Sequence, residues 1–395
     1  MAEVEDPGLR KAREGDEEAL AALVREAAKV RGNTLWSDAK RRFDASWIAR
    51  WSLRFLLLTF VVSFFTPLLP IAPPARVRLQ EKTLAPFDPD LTRDGVVLRR
   101  GWPERHEQGL SDEARVEAQK LAIDRLVRGT GSVAGVMIRA RAAIFGDLEV
   151  APILGTDALG RCLLSRILWG GRVSLMVGIV ATLVSLLIGV GYGALSGYLG
   201  GRVDRLMMRF VDVLYSIPFI FIVIFLLTFL RAQPSAGSGG GGGSGDKMLV
   251  FFVIIGAIYW LTMARVVRGQ VLSLKHRDFV EAAQVLGAST WHVVTRHLLP
   301  NVMSVVLVYL TLTIPRVMLF EAFLSFLGLG VEAPDVSWGM LAADALGAIN
   351  PLRVYWWFVL FPSLALGSTL LALNFVGDGL RDALDPRLTE KRAKA

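Results

Sequence analysis

Cysteine is almost absent from this sequence of 395 residues: Cys162 stands alone, so no disulfide can form within the chain and the redox compartment is left open. Histidine is nearly as scarce, with four residues, and neither a His-Glu-x-x-His pair nor a cysteine–histidine arrangement of recognisable spacing occurs. His292 and His297 stand five apart, a spacing that puts them on different faces of an α-helix. The run Gly239–Gly243 resembles a phosphate loop only in composition, because no Gly-Lys-Ser/Thr follows it. No catalytic residue, bound metal or cofactor is expected of this chain. No secretory signal is expected either, since the first long apolar run follows a charged tail of about fifty residues, far beyond the n-region of a signal peptide.

What the sequence has in abundance is apolar surface. Hydrophobic residues make up 53% and charged residues only 20%, a balance that suits a membrane better than water. The net charge of +8 would fit nucleic acid if Lys and Arg formed one face. They flank apolar spans instead, so no nucleic-acid partner is expected and membrane lipid is.

Spanning hydrocarbon as a helix takes roughly 20 mostly apolar residues, because every backbone group must be bonded within the segment. Six segments qualify: Phe55–Ile71, Leu175–Tyr198, Val211–Leu230, Met248–Met263, Val302–Phe320 and Val354–Val376. Basic residues cluster before the first (Lys40, Arg41, Arg42), between the second and third (Arg202, Arg205, Arg209), between the fourth and fifth (Arg265, Arg268, Lys275, Arg277, Arg296) and after the sixth (Arg381, Arg387, Lys391). The two short loops of opposite parity carry only Arg231, Lys247 and Arg353. Both termini are therefore expected in the cytoplasm. The chain divides into a cytoplasmic tail (1–50), a first span (51–73), an external insert and lead-in (74–170), a five-span core (171–376) with a cytoplasmic loop at 265–300, and a C-terminal tail (377–395).

Outside the spans, Leu20, Leu23, Val24, Ala27 and Val30 share one face of a helix in the tail, and Ser111 and Gly129 bracket a second helix in the insert. The stretch 234–247 is too rich in Gly and Ser to bury a core and reads as a connector. In the second span, Ala181, Ser185, Gly189, Gly193 and Gly197 recur at every fourth position, a stripe that lets another backbone approach, within this chain or across a subunit interface.

Between the fourth and fifth spans, HRDFVEAAQVLG followed by ASTWHVVTRHLLP reads as two short helices joined at a glycine. Asp278 can cap the first, with Glu281 reaching back as in a capping box, Gly287 can close it in a left-handed turn, and Ser289 or Thr290 can cap the second up to Pro300. Ala282 and Ala283 present almost no side chain, so a partner could approach that face.

Glu281, Ala282, Ala283, Gly287, Leu299 and Pro300 resemble the EAA loop of permease subunits in binding-protein-dependent ABC importers. LGTDALGRCLLSRILWGGRVSL (Leu154–Leu175), GYLGGRVDRLMMRFVDVLYSIP (Gly197–Pro218), LSFLGLGVEAPDVSWGML (Leu324–Leu341) and NFVGDGLRDALDPR (Asn374–Arg387) resemble the dipeptide, oligopeptide and nickel branch, in the right order. The long first loop departs from typical members and fits the microcin- and murein-peptide-like sub-branch. The resemblance implies an all-α, polytopic membrane protein with six transmembrane helices in the type I ABC importer permease fold, resident in a bacterial inner membrane. It implies a homologous second permease, two ATP-binding cassette ATPase subunits and an external solute-binding protein as partners, with ATP hydrolysis in the ATPase. It also makes Asp278, Glu281, Ala282, Ala283, Gly287, Leu299 and Pro300 the coupling residues.

Ionisable residues in or near spans are functional candidates: Arg54, Asp212, Arg316 and Glu321. Arg54 can snorkel, Asp212 can pair with Arg209, and Arg316 and Glu321 suit either the pathway or a structural pair. Peptide is the expected cargo, nickel an alternative, and a secondary transporter driven by an ion gradient the rival reading.

Overall fold

The computed structural model describes residues 35–88, 98–100, 132–146, 148–232, 244–331, 335–347 and 353–384, with single helical positions between 117 and 127. The tail helix expected at Leu20–Val30, the bracketing Ser111 and Gly129, and most of the glycine connector lie outside the described residues. In chain order the helices are α1 (Leu35–Ala45), α2 (Trp47–Phe64), α3 (Ser132–Phe145), α4 (Leu163–Leu199), α5 (Gly201–Ser216), α6 (Phe219–Ala232), α7 (Ser244–Leu274), α8 (Asp278–Val285), α9 (Thr290–Phe326), α10 (Trp338–Gly347) and α11 (Trp356–Leu384). A two-stranded antiparallel ribbon, β1 (Leu98–Arg100) with β2 (Leu148–Val150), is the small departure from an all-helical chain among the described residues.

Helices α2, α4, α7, α9 and α11 are long and apolar enough to cross a membrane, and the bent pair α5–α6 brings the number to six if it counts as one span. Two expected spans are corrected. The first is displaced toward the N-terminus: Ser46 caps α2 by accepting from the Ala49 amide at 3.4 Å, and the helix ends before Pro67, so residues 66–71 lie beyond it. The third, expected as Val211–Leu230, is broken. Ile217 is extended (φ −88°, ψ 125°) because the ring of Pro218 disfavours helix in the preceding residue, and the two halves meet at 78°.

The 37-residue α4 is the centre of the bundle. Its small-residue stripe faces α7 within the same chain. A Cβ on Gly189 would lie 2.8 Å from the Trp260 carbonyl oxygen, one on Gly197 would lie 2.9 Å from that of Arg268, and one on Gly256 of α7 would lie 2.6 Å from that of Ala181. Gly193 is tighter still against the Ala264 carbonyl. In lipid the apolar effect does not separate helix–helix from helix–lipid contact, so backbone proximity and dense van der Waals packing supply the association.

That pairing orients the rest. The Gly197 ends of α4 and of α7 lie together, at what we term the elbow end, while Leu163 lies at the far end beside α10 and the start of α11. Two buried clusters flank the stripe. One joins Val177, Val223, Phe252 and Val317 toward the far end, and the other joins Val190, Val267, Val280 and Val293 toward the elbow. Helix α10 is keyed into α4: the Trp338 indole donates to the Ile167 carbonyl at 2.8 Å and its amide to Ser174 Oγ at 3.0 Å.

The stripe generates a test. Gly193→Leu forces a branched side chain onto the α7 backbone and is expected to cost about 1–3 kcal/mol or more by overpacking, seen as a lower thermal midpoint of the detergent-purified protein. Gly191→Ala, at a helical position where a Cβ meets nothing within 4 Å, is expected to be neutral or stabilising. Equal midpoints for the two variants would remove the close α4–α7 contact as a determinant of the fold.

Candidate functional site

Helix α8 begins where α7 turns. The Arg277 amide bonds the Leu274 carbonyl at 3.1 Å, Arg277 is extended, and Asp278 is already the first helical residue. The expected capping box is therefore not formed: Arg277 occupies the cap position, and neither Asp278 nor any other side chain caps the helix. Asp278 and Glu281 still place two carboxylates in the first turn, where they complement the helix dipole.

The other end of α8 follows expectation. Gly287 takes φ +81°, its amide bonds the Gln284 carbonyl at 2.9 Å, and the Ala288 amide bonds the Ala283 carbonyl at 3.0 Å. This pair of bonds is a Schellman closure, and it satisfies carbonyls that the helix end would leave unpaired. Ser289 then caps α9, its Oγ accepting from the His292 amide at 3.3 Å.

The second helix does not stop at Pro300. A π-helical turn over Val293–Leu298 carries the chain directly into the rest of α9, and Pro300 sits in the first turn of that segment, where a proline amide is not needed. The wider turn also corrects the reading of the two histidines. The His292 and His297 rings lie 5.8 Å apart, because five residues come close to one turn of a π-helix.

Burial divides the elbow into two faces. Val280, Ala283, Val293, Val294 and Leu298 pack on Val267 and Val271 of α7, and Leu299 lies partly buried against them. Ala283 thus faces the chain's own core, and only Ala282 of the two alanines faces outward, with Asp278, Glu281 and Pro300. The outward face also carries Val285 and Leu286, each 87% exposed, and Trp291, 74% exposed. Sequence reasoning missed these three. The available signal was an apolar pair immediately before a capping glycine, where the short helix has only one face to bury.

Two ion pairs brace the elbow's base. Arg268 on α7 donates to both carboxylate oxygens of Asp204, at 2.5 and 2.6 Å, and Ser196 Oγ donates to the same carboxylate at 2.6 Å. This joins α4, α5 and α7 at one point. One turn earlier, Arg265 pairs with Asp212 at 2.8 Å and lies over the Tyr215 ring. Asp212 therefore bonds across helices to Arg265, and the local pairing with Arg209 is corrected.

The candidate pair Arg316 and Glu321 does not form. Five residues apart on an α-helix, they point in different directions. Glu321 is buried and accepts from Ser325 Oγ at 2.7 Å, whereas Arg316 is exposed. Arg54 lies over the Trp51 ring at 5.1 Å.

At the far end, sequence reasoning missed a network. Buried Arg166 donates to Asp157 and to Asp344, each at 2.8 Å, and Arg161 donates to Asp157 at 2.6 Å. Together with Leu341 and Phe358 they line a cavity of about 220 Å³. The spacing of Asp157 and Arg161, four apart in LGTDALGR, was the available cue. Cys162 beside it is buried, and burial pushes its thiol up to about 11.

Residues 189–390 match the family described as the inner membrane component of binding-protein-dependent transport systems. The oligopeptide transport system permease protein OppC of Salmonella typhimurium is 41% identical over 362 residues, 92% of this chain and 94% of that one. An alignment of that length takes in part of the long first loop. OppC of Escherichia coli K12 is 52% identical over 241 residues, 61% of this chain and 74% of its own. The dipeptide transport system permease protein DppC of Bacillus subtilis is 44% identical over 234 residues, 59% and 68% of the two chains. With half the chain inside the family's bounds and a relative aligned over nearly all of it, this protein belongs to the inner membrane components of binding-protein-dependent transport systems.

Proposed function

We propose that this chain is the permease subunit of an ATP-driven peptide importer in a bacterial inner membrane. It works with a homologous second permease, two ATPase subunits and an external solute-binding protein. The observation that carries the reading is the elbow: a rigid, Schellman-closed helix whose outward face holds Ala282 and the exposed Val285, Leu286 and Trp291. Apolar side chains on a structured turn outside the spans are costly in water and favour a docked partner. The names of the oligopeptide and dipeptide relatives support peptide as the cargo.

Mechanistically, closure of an ATPase dimer moves the seated α8. The buried contacts of Val280 and Ala283 with α7, and the Asp204–Arg268 brace behind them, make α4, α5 and α7 follow as one body. Access then switches from one side of the membrane to the other by rigid-body motion. The chain itself hydrolyses nothing.

Three outcomes are expected from the elbow. Paired Val285→Asp and Leu286→Asp substitutions place charge on the docking face and should lower peptide-stimulated ATP hydrolysis of the assembly about tenfold or more, the scale of losing a central apolar contact. Membrane insertion should persist, because both side chains are exposed. Gly287→Val puts a β-branched residue at φ +81°, which costs roughly 1–2 kcal/mol and unhinges the closure. Ala282→Cys should crosslink to the ATPase. Normal transport by these variants with no crosslink, or transport by this chain alone, would count against the reading.

The basic residues at the elbow end, including Lys275 and Arg277, support placing that end and both termini in the cytoplasm. In a Cys162→Ser background, Ser289→Cys should resist an impermeant maleimide in intact cells and react in inverted vesicles. Even unreplaced, the buried Cys162 should label slowly at neutral pH, since a raised thiol value leaves little thiolate. Labelling of Ser289→Cys from outside would overturn the orientation.

A further inference from the structure

Arg316 is an ionisable group in a span that the elbow, its braces and the far-end network leave unexplained. It sits at mid-height of the bundle on two counts. Its carbonyl accepts from Tyr259 Oη at 3.3 Å, and Tyr259 is the middle residue of α7. Ile314 and Met318, on either side of it in sequence, approach Gly178, which lies near the middle of α4.

Its guanidinium has no hydrogen-bond or ion-pair partner among the described residues, and it is exposed. It heads a stripe of exposed apolar side chains, Leu319, Phe323 and Phe326, at helical spacings of three, four and three. No element of this chain covers that face of α9 among the described residues.

An arginine at this depth cannot face hydrocarbon cheaply: insertion at the centre of a span costs about 2.5–3.5 kcal/mol even on the most lenient scale. The face therefore borders water or protein. A permanent pair with a buried acid on the companion permease would recover little, because desolvating both charges offsets their attraction. A hydrated pathway keeps the guanidinium solvated between transport events and presents its planar fork to a carboxylate when one arrives.

We propose that Arg316 is a specificity-determining residue of the pathway, which takes the terminal carboxylate of the transported peptide while Leu319, Phe323 and Phe326 line the route of its apolar side chains. This rests on the importer reading above. It adds a discrimination that the elbow does not supply: a peptide with a free carboxylate against the same peptide with that group neutral.

The test uses the full assembly in proteoliposomes, with trialanine and trialanine amide each supplied over the same range of concentrations. Wild type should favour the acid. R316Q should lower the acid-to-amide rate ratio about tenfold, the loss expected on removing a charge-assisted hydrogen bond to the solute. R316K, which keeps the charge without the fork, should restore part of the ratio. The companion permease should co-purify with all three. If R316Q lowers both rates equally with the ratio unchanged, or releases the companion permease, Arg316 is a structural or subunit contact and the inference falls alone. If the wild-type assembly transports neither peptide, the importer reading falls and takes this inference with it.

Discussion

The close contact between α4 and α7 is the constraint on which the remaining structure depends. In water two helices are driven together by apolar burial, but in lipid they must gain something lipid does not provide. Here it is backbone proximity: Gly189, Gly193 and Gly197 on one helix and Gly256 on the other leave no room even for a methyl group. Because α7 leads directly into α8, the register of this contact also decides where the elbow projects. A shift of one residue along α4 would turn Val267 and Val271 out of the cluster that holds Val280, Ala283 and Val293.

The elbow combines local and tertiary devices. The Schellman closure at Gly287 and the Ser289 cap are local and need only the sequence between Ala283 and His292. The placing of Ala283 against the bundle and of Ala282 away from it is tertiary, since adjacent helical residues differ by about 100° and the direction of the core selects between them. The π-turn at Val293–Leu298 serves both levels. It widens one turn so that the capped segment runs into the rest of α9 without a break, and it delivers Pro300 to a position that needs no amide donor.

Charge in the bundle follows burial. Asp204 and Arg268 meet near the elbow end in a geometry that also fixes helix positions, and Arg166 ties helices at the far end through Asp157 and Asp344. Glu321 is buried with hydroxyl company. Arg316 breaks the pattern, being exposed at mid-height on a face of α9 that no described element of this chain covers.

The sequence by itself determined the apolar spans, the glycine turn of the elbow and the membership of a permease family, because these rest on local composition, on backbone conformations open chiefly to glycine, and on ordered motifs. It also showed the stripe on α4, though not which helix would fill it. It misplaced the first span by several residues, since a run of apolar side chains does not mark where a cap such as Ser46 starts the helix. It carried the third across Pro218, the residue that breaks it. Only the tertiary structure decided that the stripe meets α7, that Asp212 bonds Arg265, that Arg316 and Glu321 part company, and that Val285, Leu286 and Trp291 form the exposed face of the elbow. These outcomes depend on the direction of neighbouring helices, and a residue pattern read along one chain gives the faces of a helix but not what each face meets.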